Sequence, residues 1–207
     1  MTVNDISFRD LYHQFFFLPL SEEDSNLWEI ADQFPGKEDG NGLILYGYID
    51  HTAGFTFEIL AFGNLTQGHL SIFEGNDTIS SKIRYGAVSE HEILALDESV
   101  RDVFLERTTI IDEDYKSSVE IEETRKIQLL DEFRSPEYPD DVAVIIVHGD
   151  AQPEQCWVRC EGLTEHCIIG TLLNEPYGDL GFHCNDEIVF GFIKTKDGKI
   201  HCVGPIK

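Results

Sequence analysis

Short apolar runs separated by turn residues limit the folds open to this chain more than any other feature of its sequence. Between residues 43 and 85 these runs are rich in β-branched and aromatic residues, and turn signals such as Gly63-Asn64 stand between them. Such a pattern is typical of β-strands joined by short antiparallel connections. It predicts strands at residues 43–49, 54–62, 69–73 and 78–85.

Helical spacing of apolar residues marks the segment before these strands. Leu27, Ala31 and Phe34 repeat at the spacing of one helical face. A Pro35-Gly36 pair then ends the pattern. We therefore predict that the first 34 residues are mainly helical.

Residues 89–107 allow two interpretations. A single helix could begin at the Ser-x-x-Glu capping box of residues 89–92. Alternatively, residues 92–96 form a strand and Asp97 caps a shorter helix. In both cases we expect a helix over at least residues 97–106, because apolar residues follow one helical face there.

A further helix is predicted over residues 120–133, followed by the best candidate for a domain boundary. Glu122 lies four residues before Lys126, the spacing of stabilising charge pairs on helices. Two prolines in the stretch from Ser135 to Asp141 end the helix.

Beyond this boundary the sequence returns to strand patterns, which completes an α+β fold. Residues 1–134 are predicted to form a domain of helices and antiparallel sheet, and residues 135–207 a small β-rich domain. The sequence leaves open whether the two regions pack as one domain, and nothing in it specifies the oligomeric state. Strands are expected at residues 142–147, 154–161, 165–173, 187–194 and 199–203.

Charge restricts the partners of this protein. The chain has 39 acidic and 15 basic residues, a formal net charge of -24. A field of this sign repels phosphate backbones and anionic membrane surfaces, so we expect no direct binding to nucleic acid and none to membranes. The same field attracts a basic protein, although a high net charge also serves solubility alone.

The N-terminal sequence and the cysteines indicate a soluble cytoplasmic protein. No N-terminal segment combines a basic start, an apolar core and a cleavage site, and the apolar run at residues 15–18 is too short to span a membrane. All five cysteines lie after residue 155. Their odd number fits free thiols in a reducing compartment.

Catalytic and metal-binding motifs give an enzyme little support. The chain has no nucleophile elbow, no zinc-protease helix motif and no phosphate-binding loop. Strand periodicity places Cys156, Val158 and Cys160 on one face, as expected of buried small residues, so we assign no catalytic residue, metal or cofactor. The alternative is a metal-dependent hydrolase that uses some of His148, His166, His183, Cys167 and Cys184.

Three segments of the C-terminal region carry a resemblance. Residues 156–159 read C-W-V-R, residues 169–176 read I-G-T-L-L-N-E-P, and residues 185–190 read N-D-E-I-V-F. This pattern resembles a family of small bacterial domains of unknown function, some of them classed as immunity proteins of polymorphic toxin systems. Where the family has Gly before Asp186, this chain has Asn185, which also tolerates a left-handed turn.

The resemblance implies an architecture and no catalytic residues. Together with the charge, it favours a non-enzymatic, immunity-like protein that binds a basic protein partner by electrostatic complementarity. We expect the binding patch on the C-terminal domain, at Trp157, Asn174, Glu175 and Tyr177.

Overall fold

A computed structural model describes residues 1–75 and 80–206, and the chain divides into two compact units. The first unit is Met1–Lys116 and the second is Ser117–Lys207. The boundary predicted after residue 134 therefore lies inside the second unit. The α+β class and the small β-rich C-terminal domain are confirmed.

A six-stranded antiparallel sheet forms the centre of the first unit. Its strands are β1 (Phe15–Pro19), β2 (Gly42–Asp50), β3 (Gly54–Thr66), β4 (His69–Ile72), β5 (Ser81–Arg84) and β6 (Leu94–Ala95). The order is β4-β3-β2-β1-β6, and β5 pairs with the first half of β3. Most of the strand residues predicted between 43 and 85 are confirmed. Predicted strand residues 78–79, and the Asn76-Asp77 part of the turn signal that begins at Gly75, lie outside the described residues.

The N-terminal segment differs from the predicted helical segment, because a strand lies in its middle. A 3-10 turn (Val3–Asp5) and α1 (Phe8–Leu11) precede β1, and α2 (Ser25–Ala31) follows it. β1 lies between β2 and β6 and is covered on both faces, so Phe15, Phe16, Phe17 and Leu18 are all buried. A strand buried on both faces has a continuous apolar run without alternation.

Helices cover both faces of this sheet. On one face α2 and α3 (Tyr85–Val88) pack against Phe16, Leu18 and Phe57. On the other face Val100 of α4 (Ser99–Val103) and Ile111 of α5 (Leu105–Asp114) pack with Phe15, Phe17 and Tyr46. Alternate residues of β1 therefore belong to different apolar clusters, as the two-residue period of a strand requires.

The second interpretation of residues 89–107 is close to the structure. Residues 94–95 form β6, and the Asp97 carboxylate accepts a hydrogen bond from the Ser99 amide at 2.9 Å. The helix that follows is interrupted at Phe104 and continues as α5 to Asp114, beyond its predicted end. Within the described residues, no helix is both long enough and apolar enough to cross a membrane.

A closed five-stranded barrel forms the second unit. It follows α6 (Val119–Arg125) and a 3-10 segment (Gln128–Phe133), so the single helix predicted over residues 120–133 is two elements. Glu122 pairs with Arg125 rather than with Lys126, which pairs with Glu123. The strands are β7 (Asp141–Ile146), β8 (Glu154–Leu163), β9 (Ile168–Leu172), β10 (Glu187–Lys194) and β11 (Ile200–Gly204).

The barrel is a meander that closes through a parallel pair between β11 and β7. Cys156, Val158 and Cys160 all point into its apolar core, as their spacing predicted. Gly170 lies where β8 and β9 approach closely, since a Cβ atom there would stand 2.4 Å from the Arg159 carbonyl oxygen.

Candidate functional site

The four residues of the predicted patch lie on or beside the loop that joins β9 to β10. The Trp157 amide of β8 donates to Asn174 Oδ1 at 2.7 Å, and the Leu173 amide donates to the Trp157 carbonyl at 2.8 Å. Glu175 and Tyr177 follow on the same loop. We call Trp157, Asn174, Glu175 and Tyr177 the β9–β10 loop surface.

Tyr177 is presented by a backbone that Glu154 holds in place. The Glu154 carboxylate accepts hydrogen bonds from the Tyr177 amide at 2.8 Å and from the Gly178 amide at 2.6 Å. The Tyr177 side chain is fully exposed, with a relative accessibility of 103%, and Trp157 is 42% exposed. The sequence prediction missed Glu154, because no local pattern links it to a loop more than 20 residues away.

Glu175 anchors the far end of the same loop. One of its oxygens lies 2.7 Å from His183 Nδ1, and the other accepts from the Cys184 amide at 2.9 Å. The bond from the Cys184 amide, with that of His183, lowers the pKa of Glu175. The hydrogen bond to Glu175 and the charge of this carboxylate raise the pKa of His183.

The turn into β10 has the geometry that the Gly-to-Asn difference predicted. Asn185 has a φ of 74°, in the left-handed region that Gly and Asn tolerate. The Asp186 carboxylate accepts from the His183 amide at 2.7 Å and closes the turn. Asn185 and Asp186 therefore fix the loop end that carries His183.

All seven arginine side chains contact a carboxylate or an aromatic ring of the chain. Five of the seven pair with carboxylates: Arg84 with Asp50, Arg107 with Glu58, Arg125 with Asp140, Arg134 with Asp131, and Arg159 with Asp141. The other two, Arg9 and Arg101, lie over the rings of Phe8 and Phe15. Three exposed lysines, Lys194, Lys196 and Lys199, lie at the turn between β10 and β11.

The histidines and cysteines of the alternative metal site have the following surroundings. His183 bonds to Glu175, the His148 ring lies 5.9 Å from the Phe182 ring, and His166 lies in an exposed turn. The Cys184 thiol donates to the Leu173 carbonyl at 3.4 Å, and Cys167 is a partly buried free thiol. In residues 1–75 and 80–206, no group of three or more His, Cys, Asp or Glu side chains is placed to hold a metal ion.

The site is thus an aromatic and acidic loop surface, held by hydrogen bonds from both of its ends, at the edge of a β-barrel in a two-unit α+β protein. Comparison with protein-family models, with curated proteins and with solved structures finds no match to this chain. The resemblance of the C-terminal segments to immunity domains therefore stays a prediction.

Proposed function

We propose that this chain is a non-enzymatic, immunity-like binding protein that recognises a basic protein partner through the β9–β10 loop surface. The observation that carries the proposal is the fully exposed Tyr177 side chain on a loop held by the Glu154 carboxylate. Aromatic side chains on a rigid support lose little entropy on binding and are enriched at the centres of protein interfaces. Trp157 adds a second exposed ring.

The charge distribution supports a basic partner. The first unit has 22 acidic and 7 basic residues, a net charge of -15, and the second has 17 and 8, a net charge of -9. Each of five arginines pairs with a carboxylate, which offsets its charge toward an anionic ligand. A negative field around exposed aromatic rings speeds association with a cationic surface.

A peptide titration tests the proposal with Trp157 as the reporter. Trp28→Phe leaves Trp157 as the remaining tryptophan, and the variant is titrated with a lysine- and arginine-rich peptide and with an acidic peptide of equal length. We expect a saturable change in emission with the basic peptide only, weakened as salt is raised. Loss of this response for every basic peptide would overturn the proposal.

Two matched variants locate the contact. Tyr177→Ala removes the exposed ring and is expected to weaken peptide binding by at least about tenfold, the cost of a typical interface anchor. Tyr138→Ala removes another exposed tyrosine of the same unit and is expected to leave affinity unchanged. Tyr138 lies just before β7, whose first residue pairs with Arg159, whereas Glu154 is at the other end of β8. Equal effects of the two substitutions would contradict a contact at the loop surface.

We also propose a cytoplasmic location without direct binding to nucleic acid or membranes. All five cysteines are free thiols, the state that a reducing compartment maintains. Cell fractionation of the full chain tests the location, and its appearance in an oxidising compartment would contradict it.

A further inference from the structure

Helices α4 and α5 carry apolar side chains on their solvent side, outside the loop surface. Val103 is 61% exposed and Ile110 is 46% exposed. On the inner side of α5, by contrast, the polar Thr108 is buried, and its hydroxyl donates to the Phe104 carbonyl at 3.1 Å. Packing against the sheet therefore explains the apolar character of Ile111 but not that of Ile110.

Val103 and Ile110 line a cavity of about 310 Å³, together with Phe104, Glu106 and Arg107. We call Val103, Glu106, Arg107 and Ile110 the α4–α5 surface. Exposed apolar side chains around a cavity on a pair of helices are typical of a site that receives the apolar face of another helix.

Arg107 is the basic residue of this cavity lining, and its guanidinium donates to Glu58. Glu58 is only 1% exposed, and its second carboxylate oxygen has no hydrogen-bond partner within residues 1–75 and 80–206. The charge of Arg107 is therefore offset by a buried carboxylate that still lacks a donor. Because of this pairing, the cavity does not attract an anionic segment.

The surroundings of the α4–α5 surface are acidic. Residues 97–116 contain seven acidic and three basic residues, a net charge of -4. Four of the acidic side chains are exposed: Asp102, Glu106, Glu113 and Asp114. A second copy of this chain would bring an equal negative rim against this one, and anionic lipid surfaces are repelled in the same way. An apolar centre with a negative rim instead complements an apolar face flanked by lysine or arginine.

We propose that the α4–α5 surface binds an amphipathic helix of the basic partner. The apolar side chains of such a helix cover Val103 and Ile110 and enter the cavity, and its lysines and arginines lie against the exposed carboxylates of the rim. The inference rests on the proposed function for its basic partner. It deepens that function, because it names the form of the segment that the first unit recognises.

Two synthetic peptides of one composition separate this mode of binding from general charge attraction. One peptide of leucine and lysine places its leucines on one helical face, and the other contains the same residues rearranged so that no apolar face forms. Each is titrated into the full chain with labelled Ile, Leu and Val methyl groups, and binding is followed by NMR and calorimetry. We expect saturable binding of the amphipathic peptide with shifts of the Val103 and Ile110 methyl resonances. The rearranged peptide is expected to bind at least about tenfold more weakly, because it lacks apolar anchors.

Substitutions test the apolar centre and the rim separately. Ile110→Ala is expected to weaken binding of the amphipathic peptide at least about fivefold, the loss from a typical interface anchor. Ile193→Ala is the matched control, since Ile193 is also 46% exposed but lies on β10 of the second unit, and it is expected to leave affinity unchanged. Glu106→Gln is expected to slow association and to reduce its salt dependence, whereas Glu29→Gln, on the exposed side of α2, is expected to change neither.

The possible results distinguish the helix site from the proposed function. Equal binding of the two peptides, or equal effects of Ile110→Ala and Ile193→Ala, would overturn the helix site. Self-association of the chain that Ile110→Ala abolishes, measured by analytical ultracentrifugation, would overturn it by assigning the surface to a second copy. Peptide binding that depends on Ile110, with no response of Trp157 to any basic peptide, would overturn only the contact at the β9–β10 loop surface. The converse result would overturn only the helix site.

Discussion

Arg125 donates to both carboxylate oxygens of Asp140, from Nε at 2.8 Å and from Nη2 at 2.6 Å. The two residues are only 3% and 2% exposed. The pair links α6 to Asp140, the residue immediately before the first barrel strand, β7. Removing one partner of such a pair leaves the other charge buried and uncompensated, which costs far more than the pair contributes when intact.

We predict that Asp140→Asn destabilises the second unit by about 3 kcal/mol or more. The asparagine can accept from one guanidinium nitrogen but carries no charge, so Arg125 loses the carboxylate with which it makes two hydrogen bonds. Urea unfolding followed by Trp157 emission in the Trp28→Phe background measures the change in the free energy of unfolding. Glu123→Gln, which breaks the exposed pair with Lys126, is the control and is expected to leave the free energy of unfolding nearly unchanged.

Tyr46 and Tyr48 lie on the same face of β2 and provide a second matched pair. The Tyr46 hydroxyl donates to Asp112 at 2.8 Å, whereas the buried Tyr48 hydroxyl makes no well-formed hydrogen bond among the described residues and has Tyr115 close to it. Tyr46→Phe is therefore expected to cost about 1.5 kcal/mol or more, and Tyr48→Phe to be neutral or stabilising by up to about 1 kcal/mol. Thermal unfolding of both variants tests this, and equal destabilisation would contradict it.

The strands of this chain could be predicted from its sequence, since the residue types and turn signals that specify them are local. Val142, Val144 and Ile146 of β7, for example, are fully buried where the apolar run predicted a strand. β1 was the exception. Its four consecutive buried residues show no period, because both faces of the sheet are covered, and only the pairing with β2 and β6 makes the segment a strand.

The helix ends and the boundary between the two units were harder to predict from the sequence. The Ile127 segment has apolar spacing that suits a continuous helix, yet α6 ends at Arg125, whose side chain turns into the buried pair with Asp140. The stretch from Ser135 to Asp141 has the composition of a linker. In the structure it is a tight turn of the barrel unit, closed by hydrogen bonds from the Ser135 amide to Asp141 and from the Asp141 amide to Tyr138.

The candidate site also has residues that could be predicted from the sequence and residues that could not. Trp157 and Tyr177, named in the predicted patch, are exposed in the structure. Glu154 and His183 could not be assigned their roles, because each acts through a partner that only the fold brings close: the Tyr177 amide, 23 residues away, and Glu175, 8 residues away. The chain also has so many carboxylates that the sequence alone does not show which of them hold the loop.

The five thiols are expected to differ in reactivity. Burial in the barrel core raises the pKa of Cys160 and of Cys202 to about 12, so both stay protonated and shielded at neutral pH. Burial also raises the pKa of Cys156. Iodoacetamide labelling of the native protein followed by peptide mass spectrometry should leave these three unmodified and label the partly exposed Cys167 and Cys184. Labelling of all five at one rate would show that the barrel core is open.

The Glu175–His183 pair is expected to make the loop surface sensitive to pH. Because the folded pKa of His183 is raised, its contribution to stability is complete below the unfolded pKa and is lost as pH rises through the folded value. Glu175, whose pKa is lowered, contributes above its unfolded value and loses this as pH falls through its folded value. The pair is therefore intact between the two folded pKa values.

An NMR titration of the His183 ring protons measures this prediction. In the unsubstituted chain the midpoint should lie above the ordinary value for histidine, about 6.5, and Glu175→Gln should move it down. Glu187→Gln removes a nearby exposed carboxylate that does not bond to His183 and should leave the midpoint in place. Deprotonation of His183 removes a positive charge from the loop that carries Tyr177. Affinity for a basic peptide should therefore rise with pH across this midpoint, and in Glu175→Gln the rise should move to lower pH. A midpoint that is the same with and without Glu175 would show that the pair does not form in solution.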